Sequence, residues 1–214
     1  MMTKRGRFIV VEGLEGAGKS TAIQTIKQYL ENHVNEVLLT REPGGTRVGE
    51  TIRTIIKEKI DNEMLDPRAE LLLLYAARVQ LVEQIIQPAL NHGCWVLADR
   101  FEMSTFAYQG GGRHLDEQMI SALSTFCLQG FKPDLVLFMD IEPEEGLNRV
   151  RQRGTYDRME QESLVFFTEV YHSYQRLIKT MSNVVCIDAG QSLEIVQQSI
   201  ITQLETFIAN NAVA

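Results

Sequence analysis

The sequence predicts an α/β protein: a five-stranded parallel sheet with helices on both faces, built as one domain over residues 1–214. Three observations carry the prediction. Short apolar runs and helical patterns alternate five times. A glycine-rich loop links the first run to the first helix. No repeat, low-complexity tract or linker divides the chain, and its length suffices for one full core.

The first strand is Phe8-Ile9-Val10-Val11, a short apolar run that reads as buried. Gly13-Leu14-Glu15-Gly16-Ala17-Gly18-Lys19-Ser20 follows and matches G-x-x-x-x-G-K-[ST] at each fixed position. Past Thr21 a helical pattern runs on, with Ile23, Ile26, Tyr29 and Leu30 at three- and four-residue spacing. Strand, loop and helix together make a phosphate cradle. The glycines let backbone N–H groups turn inward around a polyphosphate. The helix adds free N–H groups and the positive end of its dipole. Lys19 then reaches the outer phosphates, and the Ser20 hydroxyl holds a magnesium ion.

Glu36 to Thr40 reads as the second strand, closed by the turn Arg41-Glu42-Pro43-Gly44-Gly45-Thr46. Ligands of open α/β sheets bind at such carboxyl ends. A helix over about 47–59 places Val48, Ile52, Ile55 and Ile56 on one face, and a polar break over 61–67 follows. Pro67 opens a long helix to about Leu90, through Glu70, the leucines 71–74, Tyr75, Arg78, Leu81 and Ile85. Its leucine run is apolar nearly all round, which predicts cover on several sides, a second copy of the chain being one candidate. Pro88 kinks or ends it. Trp95 to Ala98 is the third strand and runs into Asp99-Arg100. A carboxylate directly after a buried strand matches the second metal-organising acid of phosphate-loop proteins.

Ser104 to Arg113, STFAYQGGGR, is a flexible or close-approach segment because of its consecutive glycines. Asp116 starts a helix through Met119, Ile120, Leu123, Phe126 and Cys127. Leu135 to Asp140 is the fourth strand, and Pro143 starts a helix whose end carries Arg149, Arg151 and Arg153, with Arg158 shortly after. Asn183 to Ile187 is the fifth strand, and Ser192 caps a final helix to about Asn210.

Composition narrows the function. No run of 18 apolar residues predicts a membrane span, and the charged start MMTKRGR leads straight into the first strand, so a cytoplasmic protein is expected. Cys94, Cys127 and Cys186 show no metal-ligand spacing and read as small core residues. A net charge of −7 argues against nucleic acid as the main partner. An acidic chain with an anionic ligand must gather its arginines locally, and residues 149–158 hold four of them. Phosphoryl transfer needs such positive groups and the exclusion of water. A segment of this kind is either a closing lid or a solvated helix face with i,i+4 ion pairs. The guanine-reading N-K-x-D of GTPases is absent, and large motor ATPases need more chain.

The combination EGLEGAGKST, REPGGT, YAARVQ, DR, STFAYQGGG and YDRMEQE resembles the bacterial thymidylate kinase family over nearly the whole chain. That resemblance implies the nucleoside monophosphate kinase fold, a homodimer, and phosphoryl transfer from ATP with Mg2+ to dTMP. It implies that residues Gly13 to Thr21 hold the ATP phosphates and that Glu15 meets the dTMP sugar hydroxyl. The loop lacks an arginine, so the catalytic arginine is expected in a lid over about 149–162. Arg153 is the first choice, Arg151 the second, with Arg158 a lid partner and Arg149 stacked on adenine. By the same resemblance Asp99 positions magnesium through water and Arg100 bridges donor and acceptor phosphates. Arg53 binds the dTMP phosphate, where a guanidinium makes two parallel hydrogen bonds. Arg78 meets the thymine carbonyl, with Thr105 and Gln109 on the base edge. Tyr108 crowds the sugar 2′ position, and Glu42-Pro43 forms a turn beside the sugar, a place for a cis peptide. One position departs from the family. Leu74 stands where a phenylalanine usually stacks on thymine, so Phe101 or Phe106 are candidates to compensate. A different acceptor nucleotide, or a non-catalytic nucleotide sensor, are the competing readings.

Overall fold

The computed structural model describes residues 5–58, 63–154 and 157–212. Five parallel strands form one sheet: β1 Phe8–Gly13, β2 Val37–Arg41, β3 Trp95–Asp99, β4 Leu135–Asp140 and β5 Val184–Asp188, in the order β2-β3-β1-β4-β5. β1 is central. Phe8 lies opposite Val96 of β3, and Ile9 opposite Leu135 of β4. Successive side chains of a strand point to opposite faces. Phe8, Ile9, Val10 and Val11 are nevertheless all fully buried, so both faces of the sheet are covered.

The helices are α1 Lys19–Glu31, α2 Arg47–Lys57, α3 Pro67–Leu81, α4 Gln87–Asn91, α5 Glu102–Thr105, α6 Glu117–Leu128, α7 Pro143–Arg153, α8 Leu164–Ile178 and α9 Leu193–Ala212. Four of these starts follow side-chain capping chemistry. The side chains of Thr46, Asp66, Asp116 and Ser163 each accept a backbone N–H at the head of α2, α3, α6 and α8.

Four features correct or refine the sequence reading. The long helix expected to Leu90 is interrupted by a π-helical turn, Val82–Ile86, before α4. Proline lacks the N–H that an α-helix needs at that depth. The Gln87 N–H bonds back to Val82 O in a wider turn immediately before Pro88. The segment expected to be flexible or closely packed is a second π-helical turn, Phe106–Gly112, set under α8. A Cβ at Gly111 would lie 2.7 Å from Ser173 Cβ, and one at Gly112 2.5 Å from the Phe166 ring. Close approach is therefore the reason for those glycines. Helix α8 is absent from the sequence reading, although Ser163 caps it and Phe166, Phe167, Val170 and Tyr174 form its buried face. Finally, the cysteines are not all core residues: Cys94 is buried, Cys127 half-buried and Cys186 exposed on the edge strand β5.

Candidate active site

The loop after β1 and the turns after β2 and β3 open at the same carboxyl edge of the sheet. There they line one cavity of about 520 Å³. From the glycine loop come Glu15, Gly16, Gly18, Lys19 and Ser20. Gly13, Gly16 and Gly18 adopt positive φ, which lets the loop curl. The side chains of Leu14 and Ala17 are buried in the core, so these two residues offer a loop ligand only their backbone, while Thr21 is exposed on α1. A Cβ on Gly16 would lie 2.1 Å from Gly146 O, so the loop is packed directly on α7.

Lys19 Nζ donates to Leu14 O at 2.7 Å and Gly13 O at 3.2 Å and lies 3.6 Å from Glu15. Glu15 also accepts from Arg100 and, at 2.8 Å, from the Tyr108 hydroxyl. Burial alone would raise the Glu15 carboxyl, but Arg100, Lys19 and Tyr108 together hold it down to about 2. Burial, then the Arg100 charge, bring the Lys19 ammonium down to about 8, while Glu15 and Asp99 pull the other way. A polyanion in the cavity would raise the Lys19 ammonium again.

Arg100 is placed by a buried network. It has φ +68°, unusual for a residue with a side chain. Its backbone N–H bonds Val11 O at 2.9 Å, and the next N–H, of Phe101, bonds Glu12 Oε1 at 2.9 Å. The other oxygen of fully buried Glu12 accepts from Ser104 Oγ and Tyr174 OH, and both of these also bond Arg100 Nη1. Glu12, Ser104 and Tyr174 were missed in the sequence. Glu12 directly follows the apolar run Phe8–Val11 within β1, and a charge there was the available signal. Asp99 also lines the cavity, and its Oδ1 is buried with no hydrogen-bond partner.

The far end of the cavity holds Glu42, Pro43, Arg53, Leu74, Arg78, Thr105 and Gln109. The Glu42–Pro43 peptide is cis. Arg53 Nη1 donates to Pro43 O at 2.9 Å. Arg78 Nε donates to Glu42 at 2.7 Å and Nη2 to Thr105 Oγ1 at 2.8 Å, while Nη1 and Glu42 Oε1 are buried without partners. Burial pushes the Glu42 carboxyl up to about 7 against the pull of Arg78. Leu74 is joined on the cavity wall by Phe101. Phe106 instead packs with Leu71, Tyr75 and Ile120 away from it.

The arginine-rich segment divides. Arg149 lines the cavity, donates to Ala189 O at 3.1 Å and pairs with Glu145 at 2.6 Å, the i,i+4 contact of a solvated face. Arg151 is exposed, with Nη1 3.4 Å from Asn148 Oδ1. The Arg153 side chain lies outside the described residues. Beyond residue 156 the chain docks at the far end of the cavity. Asp157 pairs with Lys57 at 2.6 Å and caps the Met159 and Glu160 N–H groups. The Arg158 guanidinium donates to Ile56 O at 2.7 Å and to Glu70. Glu70, which the sequence showed only as part of a helix, is a buried anchor there.

A sequence model of the family described as "Thymidylate kinase" matches residues 11–200. Two curated proteins named thymidylate kinase, from the Corby and Paris strains of Legionella pneumophila, are each 54% identical over 211 residues, covering 99% of this chain and 100% of theirs. With the loop, the strand-end acid and the paired arginines gathered in one cavity, and with such likeness over nearly its full length, the chain belongs to the thymidylate kinase family.

Proposed function

We propose that the chain transfers the terminal phosphoryl group of ATP to the phosphate of dTMP, giving ADP and dTDP. One observation carries this. The phosphate loop with Lys19, and the Arg53–Arg78–Gln109 set, line one cavity, and Arg100 is bonded to Glu15 of the first and Tyr108 beside the second. Two anions laid end to end there would meet Arg100 between them.

The acceptor phosphate is already a nucleophile at neutral pH, so the residues need only orient the two anions, neutralise charge and exclude water. The loop backbone and Lys19 hold the ATP phosphates, Arg53 the dTMP phosphate, and Arg149 packs on adenine. Glu15 meets the sugar hydroxyl, with Tyr108 beside it crowding the 2′ position. Arg78, Thr105 and Gln109 meet the thymine edge. The unpartnered Asp99 Oδ1, of a residue that lines the cavity as Ser20 does, fits Mg2+, which takes few protein ligands and several phosphate oxygens. Among the described residues no three acids, histidines or cysteines form a metal cluster, which suits an ion carried by the nucleotide. Bound there, Mg2+ would neutralise developing phosphate charge. Residues 149–162 serve as the lid of a single domain, with Arg153 or Arg151 supplying charge to the moving phosphoryl group and Arg158 anchoring the lid through Glu70.

The working form is a cytoplasmic homodimer in this reading. Helices α3 and α6 pack together and expose Leu72, Met119 and Phe126, the last 78% accessible. None of the described helices is long and apolar enough to cross a membrane. The test is ADP release with ATP and Mg2+, with and without each nucleoside monophosphate. Turnover that depends on dTMP is expected. ATP binding without acceptor-dependent turnover would overturn the reading, and preference for another monophosphate would move the acceptor.

A further inference from the structure

We infer that Glu70 is a positioning residue for base selection: it accepts the Gln109 amide and so leaves the Gln109 carbonyl oxygen to face a ring N–H of the bound base. This deepens the dTMP reading and rests on it for the place of the base.

Glu70 sits in the first turn of α3 with no exposed surface, yet reaches the cavity wall beside Leu74. Its Oε1 accepts Gln109 Nε2 at 2.8 Å, and Arg113 Nε lies 3.6 Å from the same oxygen. Its Oε2 accepts from Arg158. Arg113 is itself held by Glu162 at 2.7 Å and by the Phe166 ring. Two guanidinium groups thus hold the carboxylate in place.

An ionised carboxylate only accepts hydrogen bonds. The Gln109 atom turned to Glu70 is therefore its nitrogen, and the orientation of the amide follows from chemistry. Gln109 is 3% exposed, so what it presents is presented to the cavity. Arg78 contributes the complementary group, a buried Nη1 donor without a partner. An acceptor from Gln109 and a donor from Arg78, both lining one cavity, match a pyrimidine-2,4-dione, which carries a ring N–H next to a carbonyl. A 4-aminopyrimidine reverses both, leaving acceptor against acceptor and donor against donor.

The test is Glu70→Gln in the full-length chain, with binding of dTMP, dUMP and dCMP measured by calorimetry and turnover measured alongside. A glutamine at 70 both donates and accepts, so Gln109 is free to turn either way. The dTMP-to-dCMP affinity ratio is expected to fall roughly tenfold, the weight of one buried hydrogen bond, while the dTMP-to-dUMP ratio holds, since both share the dione edge. A purely structural role for Glu70 lowers all three affinities together and leaves both ratios unchanged, which would overturn the inference. Gln109→Met keeps Glu70 and its arginines and repeats the test should Glu70→Gln not fold; an unchanged dTMP-to-dCMP ratio there also overturns it. In the double variant Glu70→Gln adds nothing to Gln109→Met, whereas effects that multiply would show that Glu70 acts by another route. Wild-type protein that prefers dTMP to dCMP in binding but does not phosphorylate it sinks the kinase reading alone. Protein that phosphorylates dTMP yet binds dCMP equally well sinks the inference alone.

Discussion

The two ends of the cavity handle charge differently. At the loop end, Lys19 and Arg100 share the one carboxylate of Glu15, leaving a positive charge in excess, while their side chains and that of Glu15 stay 11%, 15% and 16% exposed. At the far end, Arg78 and Glu42 are 2% and 4% exposed, and Glu70 is fully enclosed. The first set is a provisional arrangement that a polyphosphate can replace. The second belongs to the packed interior, where a lost partner leaves a charge with nowhere to go. Charge that is open to a ligand and charge that is locked in the packed interior thus share one cavity, separated by their access to solvent.

The largest expected effect lies at the loop end. Lys19→Ala should lower turnover by about 10³-fold with a melting midpoint near that of the parent, because charge on the moving phosphoryl group loses its partner. Steady-state rates beside thermal melts check this, and a melting loss as large as the rate loss would erase the contrast. Next comes Arg78→Ala, expected to cost about 3 kcal/mol of stability by stranding the Glu42 carboxyl. Denaturant unfolding measures it, and a stable but merely inactive variant would place Arg78 with the loop set instead.

Two pH experiments sharpen the comparison. With Lys19 near 8 in the free protein, kcat/KM for ATP should fall as pH rises through about 8, whereas kcat stays flatter because bound phosphates hold the ammonium charged. A kcat/KM profile level to higher pH would remove Lys19 from that role. Glu42 carries the opposite lesson. Its folded value, about 7, lies above the usual 4.5, so the folded chain holds that proton more tightly. The stability this adds is complete below 4.5 and lost as pH rises through 7. Glu42→Gln should flatten that part of the stability profile, and unfolding at several pH values reads it directly. The smallest effect expected is Leu74→Phe: a stacking ring on the cavity wall should lower the KM for dTMP a few-fold, about 1 kcal/mol. An unchanged KM would show that Phe101, on the same wall, already fills the place.

Much of this was legible because it is local. Gly13 to Ser20 declares a phosphate loop by its own spacing, and the five apolar runs declare strands. The boundaries of β2 and β5 each shift by one residue, since a strand end is decided by its neighbour in the sheet. Helix α8 was missed because its apolar residues follow the arginine segment, which drew the reading towards charge. Cys186 looked like a core residue because its neighbours are apolar, yet β5 is an edge strand and turns that side chain outward.

By itself the sequence determined the α/β class, the glycine-rich loop after the first strand, the strand-end acid at Asp99 and the family. Only the tertiary structure decided which charges work as partners. Glu12 serves Phe101 and Ser104 across the sheet, Glu70 joins Gln109 to Arg158, and Glu42 shares its burial with Arg78. A motif read from spacing is a property of neighbours in the chain. The role of a buried carboxylate depends on which donors the fold brings within hydrogen-bond distance, and here those donors lie dozens of residues away.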